Sequence, residues 1–336
     1  MNALHHDAAA RGRLARTLAA AAGLLACWAA GAGTLGVFTS DDKGFDTHTF
    51  YYDDGQEVVL IDTQFVPQLT EKMVAQVKAT TRSPITRVVV THPNPDKFNG
   101  LAYLHRLGVR SISSAAVADD MPAVNAYKKA FWTKTMKAFP PDGYPAFENV
   151  QQRFDGPSHT LKLKSGETLT LFALRNPGVA AHQVVLRVDG TGDLVVGDLL
   201  HHRAHAWLEG PLVGQRPVPD IGAWNAALDE LPALATGHPE AKVYGGRGEF
   251  VRVADAVKAQ KTYLTQVRGI VAGYVDGLGA KRAELALPAT AAPHYDALTQ
   301  RVAAAFPDYK LPYMVKYSVY GLANAEAARI DSRASR

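Results

Sequence analysis

The chain has 336 residues, 47% of them hydrophobic, enough to bury a large core. Its net charge of +4 is mild and no block of like charges occurs, so the charge pattern gives no support to nucleic-acid binding. The single cysteine, Cys27, excludes a disulfide framework, and the core must carry stability unaided.

Residues 1–32 read as an export signal. Arg11, Arg13 and Arg16 form a positive stretch, followed by a short apolar run from Leu18 to Ala26. That run is too short to anchor the chain across a bilayer. Ala30-Gly31-Ala32 fits a small-residue cleavage site, with the cut after Ala32. Leu24-Leu25-Ala26-Cys27 fits a bacterial lipobox instead, with the cut after Ala26 and a lipid on Cys27. An uncleaved tail is the third reading. Either cleavage deals with a lone thiol that is awkward in an oxidising compartment. The expected location is periplasmic or secreted, with membrane contact only through a lipid anchor at Cys27.

Thr47 to Tyr52 and Glu57 to Asp62 are strand-like runs around the turn Asp53-Asp54-Gly55. Pro67 to Thr80 has helical spacing, with Leu69, Met73, Val74 and Val77 on one face. Val88 to Thr91 is a strand, and Ile112 centres another. Residues 115–150 form a helical, aromatic-rich insertion that ends near the turn Pro140-Pro141-Asp142-Gly143. A second β-rich half follows. Its strand candidates are Thr160–Leu163, Thr168–Leu174, Gln183–Val188, Leu194–Val196 and Lys242–Tyr244. Helices are expected over Ile221–Leu231, Val251–Val275 and His294–Phe306. Two β-rich halves with flanking helices predict one α+β domain over residues 45–330, a four-layer αββα sandwich. A doubly wound α/β domain is the alternative. The hairpin turns argue against it, because a purely parallel sheet has no use for them.

The densest chemistry lies in Thr91-His92-Pro93-Asn94-Pro95-Asp96-Lys97-Phe98-Asn99-Gly100, a polar loop between a strand and a helix. It resembles the T-H-x-H-x-D-H-x-G-G signature of the metallo-β-lactamase superfamily. Asn94 stands in place of the second His and Lys97 in place of the third. Other stretches resemble the family's motifs in the same order. These are Leu60-Ile61-Asp62-Thr63, the loop from Asn176 to His182, Val195-Val196-Gly197-Asp198, and Gly245-Gly246-Arg247-Gly248 with Arg247 where the last His belongs.

The resemblance implies a two-metal cleft with altered ligands. Site one would use His92, Asn94, His182 and the bridging Asp198, and could hold one divalent ion, zinc first among candidates. Site two would use Asp96, Lys97, Arg247 and Asp198, and keeps only carboxylates as ligands. A protonated lysine or an arginine cannot ligate a metal. Lys97 and Arg247 therefore read as replacing the second metal's charge and neutralising Asp96 and Asp198. Asp62 is expected to accept hydrogen bonds that brace the loop. His201, His202 and His205 fall outside the family pattern; they would either refill lost ligands or remain solvated loop residues. Trp207, with His202 and His205, is a candidate for contact with substrate, as are Lys97 and Arg247.

Two functions follow. In the first, one metal-bound water hydrolyses a small ester, lactone or amide, with Asp96 acting on the water and Lys97 or Arg247 stabilising the oxyanion. In the second, a metal-free descendant binds a small anionic molecule through Lys97 and Arg247.

Overall fold

The computed structural model describes residues 33–334. The expected export segment, with Cys27, lies outside them. The chain enters through β1 (Thr34–Thr39), a short 3-10 turn at Asp42–Gly44, β2 (His48–Asp53) and β3 (Val58–Ile61). It continues through helix α1 (Pro67–Thr80), β4 (Ile85–Val89), α2 (Pro95–Phe98), α3 (Leu101–Arg106), β5 (Arg110–Ser114), α4 (Ala115–Ala130) and β6 (Gln152–Phe154). These six strands form one sheet in sequence order. β1, β2 and β3 pair antiparallel, and β3 to β6 pair parallel.

The second half holds β7 (Ser158–Lys162), β8 (Thr168–Ala173), β9 (Val184–Val188), β10 (Leu194–His202), the small hairpin β11 (Leu212–Val213) and β12 (Arg216–Pro217), and α5 (Ile221–Leu234). Then come β13 (Lys242–Gly248), β14 (Val251–Arg252), α6 (Val253–Gly277), α7 (Pro288–Ala305) and α8 (Tyr313–Ala334). The second six-stranded sheet runs β14-β13-β10-β9-β8-β7, with β10 and β13 its one parallel pair.

Alternation along the strands builds the layers. Val195 of β10 joins Phe50, Leu60, Leu171 and Leu186 in a core shared by both sheets. Its neighbours Leu194 and Val196 join Trp224, Leu228, Leu264 and Val319 in the core beneath α5, α6 and α8. All four residues of β3 are buried because both faces of that strand are covered. Helix α1 starts on Pro67, whose fixed φ suits the first turn. It sinks Leu69, Met73, Val74 and Val77 at helical spacing, each contributing about 1.5–3 kcal/mol. The resulting order, helices–sheet–sheet–helices, is the αββα sandwich expected from the sequence.

The differences lie at the edges. β1, β6, the β11–β12 hairpin and α8 were not marked by the sequence pattern, and Val251–Arg252, expected to open a helix, form β14. β1 is only half buried, so its alternation is weak. β6 has three residues. Helix α8 buries a broad face of small and aromatic residues, with no clean polar stripe opposite. In the 115–150 stretch, α4 is followed by a π-helical turn at Phe131–Thr135 and then by irregular chain.

Candidate active-site cleft

The motif loop leaves β4 at the edge where β10 and β13 also end. Two glycines let it approach. Gly197 has φ +55, and a Cβ there would meet Thr91 Oγ1 at 2.5 Å and His92 Nδ1 at 2.9 Å. A Cβ on Gly246 would collide with Asp198 Oδ1. Register shifts between β10 and β13 around Gly197 mark the same crowding.

One flank of the loop is braced by Asp62, held in the left-handed region at φ +70. Its Oδ1 accepts the Thr91 backbone N–H at 2.8 Å, and its Oδ2 accepts the Thr91 hydroxyl at 2.8 Å. With its proton so committed, the Thr91 oxygen accepts from His92 Nδ1 at 2.9 Å. That fixes the His92 tautomer and leaves Nε2 as an acceptor, which the Asn94 amide meets at 3.3 Å. Burial pushes the Asp62 carboxyl up to about 6, against the pull of Lys97 and His92 and the Thr91 hydrogen bonds.

The other flank is a closed set of four charges. Lys97 Nζ lies 3.0 Å from Asp96 Oδ2 and 2.9 Å from Asp198 Oδ1. Arg247 joins the same two carboxylates, at 3.1 Å and 2.7 Å. It also donates from Nε to the Phe45 carbonyl at 2.8 Å and from a terminal nitrogen to Thr47 Oγ1 at 2.6 Å. Thr47 in turn contacts Asp96 Oδ2 at 3.0 Å. All four charged side chains are buried. Burial opposes ionisation of both carboxyls, but the cations overcome it. Lys97 and Arg247 hold Asp96 below its usual range and Asp198 well below. The carboxylates return the effect, raising Lys97 and Arg247 against their own burial.

The structure therefore brings together His92, Asn94, Asp96, Lys97, Asp198 and Arg247. It does not bring in His182. That ring is half exposed, and its Nδ1 pairs at 2.8 Å with Asp120 of α4, a carboxylate that the family pattern does not anticipate. Of the later histidines, His201 reaches the cluster. Its Nδ1 donates to the His205 carbonyl at 3.0 Å, and its Nε2 lies 3.3 Å from Asp198 Oδ1. His205 sits among Tyr263 and Tyr309, where burial lowers its pKa to about 4. Burial also lowers His202. Neither His202 nor His205 lines the cleft.

Two small cavities open beside the motif loop. The first, of about 30 Å³, has Arg247, Asp96 and Asp198 on its floor and Phe45, Phe65, Trp132, Trp207 and Met314 among its walls. The second, of about 140 Å³, lies between α4, the Val179–Ala181 segment and the β11–β12 hairpin. Asn94 and Lys128 line both. Lys128, Thr47, Phe45, Phe65 and Met314 are among the residues that the motifs gave no reason to single out. Trp132 belongs to the aromatic insertion but carried no specific signal.

A divalent ion needs three or four converging donors. Among the described residues, no group of three or more His, Cys, Asp or Glu side chains is arranged to hold one. The space between Asp96 and Asp198 is taken by the Lys97 ammonium, and Arg247 closes the same pair. On the other side His92 Nε2 faces Asp198 Oδ2 at 3.8 Å, with the Asn94 amide beside it. The donor set in this arrangement does not fit a metal.

The sequence model of the metallo-β-lactamase superfamily matches residues 42–247. Among solved structures, a metallo-β-lactamase from Pontibacter korlensis is similar at a TM-score of 0.50 and 19% identity, over 70% of this chain and 95% of that one. The FIM-1 metallo-β-lactamase from Pseudomonas aeruginosa, in its mono-zinc form, gives a TM-score of 0.49 and 17% identity, over 69% and 89%. The DIM-1 metallo-β-lactamase exposed to ceftazidime gives 0.48 and 16%, over 69% and 92%. No curated protein matches the chain. With the superfamily match spanning the motif loop, Asp198 and Arg247, the chain belongs to the metallo-β-lactamase superfamily.

Proposed function

We propose that this chain is an exported, metal-independent member of the superfamily, whose cleft binds a small, uncharged molecule with an apolar body. The single observation that carries the reading is the closed charge set. Asp96 and Asp198, the carboxylates a metal would need, are neutralised from within the protein by Lys97 and Arg247. The same pairing argues against the anionic ligand expected from the sequence. Lys97 is wholly buried, and Arg247 donates from all three nitrogens. What remains open to a ligand is an aromatic wall over a neutral floor. Export rests on residues 1–32 alone.

A second reading is hydrolysis of a small ester, lactone or amide with one zinc ion. The facing of His92 Nε2 and Asp198 Oδ2 at 3.8 Å favours it. Metal analysis separates the two. The native chain, incubated with zinc and dialysed, is expected to keep no stoichiometric metal. The Asn94→His/Lys97→His/Arg247→His variant, which restores the motif histidines, is expected to retain zinc. One zinc per native chain would overturn the metal-independent reading and favour the hydrolase.

A further inference from the structure

A second buried ion pair stands outside the motif, where the two cavities meet. Lys128, in the last turn of α4, contacts Glu209, which lies beyond β10. Their side chains are 4% and 2% exposed. Glu209 has three hydrogen-bond partners. Besides Lys128, its Oε2 accepts the Trp207 indole N–H at 2.8 Å, and its Oε1 accepts the Tyr320 hydroxyl. Tyr127 extends the network to Tyr320 at 2.9 Å. The ammonium also sits 4.9 Å from the centre of the Trp207 ring.

Lys128 itself is not saturated. An ammonium carries three N–H donors, and among the described residues Glu209 is its one hydrogen-bond partner. Burying such a pair is costly, and an apolar pair of similar shape often serves stability as well. Here the anion fixes the cation in place among the rings of Trp207, Tyr127 and Phe131, and its remaining N–H groups have no hydrogen-bond acceptor among the described residues, at a position lining both cavities. The Asn94 amide lines both as well.

We propose that Lys128 is a ligand-binding residue. Its ammonium donates to the carbonyl oxygen of an uncharged molecule lying across the two cavities, with the apolar body of that molecule against Trp132 and Trp207. The inference rests on the metal-independent reading of the cleft and adds to it the group that orients the ligand. Cleft and lysine are tested together with two probes of similar size, benzamide, which has a carbonyl, and toluene, which has none. Binding is followed by tryptophan fluorescence, since Trp132 and Trp207 line the first cavity.

The native chain is expected to bind both probes, benzamide more tightly. Lys128→Met should weaken benzamide about tenfold or more, as expected for loss of a hydrogen bond from a charged donor, and leave toluene unchanged. The single variant leaves Glu209 without its cation and is vulnerable to unfolding. Lys128→Met/Glu209→Gln removes both charges, keeps an oxygen for the Trp207 indole N–H and offers the Tyr320 oxygen an amide N–H in place of the acceptor it loses, and it should show the same selective loss. Equal affinities for benzamide in the native chain and the double variant would overturn the role of Lys128 while leaving the cleft intact. So would a parallel loss of toluene. Failure of both probes to bind the native chain would overturn the cleft reading and this inference with it.

Discussion

The two flanks of the motif loop hold buried carboxylates by opposite means. Asp62 is surrounded by hydrogen bonds from Thr91, and its pKa rises to about 6. Asp198 lies as deeply, yet two cations in direct contact hold it well below the carboxylate range. Two hydrogen bonds from one neutral residue, even with the pull of Lys97 from beyond contact distance, do not offset the desolvation of a carboxylate, whereas cations in direct contact reverse it. The Asp62 flank fixes the loop's geometry. The Asp198 flank fixes its charge.

Removing a cation from the second flank should have the largest effect. Arg247→Met leaves Asp198 and Asp96 sharing Lys97 alone. Breaking a buried pair in this way costs about 3–5 kcal/mol. The native carboxylates have depressed pKa values, so their contribution is fully present above the ordinary carboxylate range, near 4, and is lost as pH falls through the lower native values. The variant's defect should therefore be greatest at neutral pH and shrink in acid. Arg247→Met/Asp96→Asn should recover part of the loss. Thermal melts of the native chain, both single variants and the double variant at two pH values check this. Additive melts with no pH dependence would mean that the four charges do not act as a set.

The Asp62 flank should respond in the opposite sense. A carboxyl whose native pKa is raised binds its proton more tightly when folded, so stability falls as pH rises from about 4 toward 6. The shift corresponds to about 2–3 kcal/mol across that window. Asp62→Asn should remove this slope, and its stability relative to the native chain should rise with pH over the same range. Denaturant melts at pH 4 and pH 7 measure it. An unchanged slope in the variant would assign the pH dependence elsewhere and erase the contrast between the flanks.

Much of this arrangement was legible in the sequence. The hairpin turn Asp53-Asp54-Gly55 and the strand alternation led to two sheets. The order of the motifs led to one cleft edge, and the charges of Lys97 and Arg247 led to their pairing with Asp96 and Asp198. Asp120 was not legible as the partner of His182, because the two are 62 residues apart and carry no shared motif. Lys128 and Glu209 were hidden for the same reason, at a separation of 81 residues. Local pattern reports which residues share a strand or a helix face. It does not report which distant carboxylate will capture a given cation or imidazole. Helix α8, which supplies Tyr320 and Met314 to the region of the cleft, was missed because its burial is too broad to leave a periodic signature.

The smallest effect is expected where the family pattern predicts a large one. Had His182 been a metal ligand, replacing it would abolish metal binding and, with it, any stability the metal supplies. Its ring instead pairs with Asp120 while half exposed, and exposed pairs of this kind contribute about 0–1 kcal/mol. His182→Ala should therefore melt within that margin of the native chain, with and without added zinc. Arg247→Met should differ from it by several-fold in stability cost. A large zinc-dependent loss of stability in His182→Ala would show that the imidazole leaves Asp120 for a metal. The charge-closed flank would then be only one of two states of this cleft.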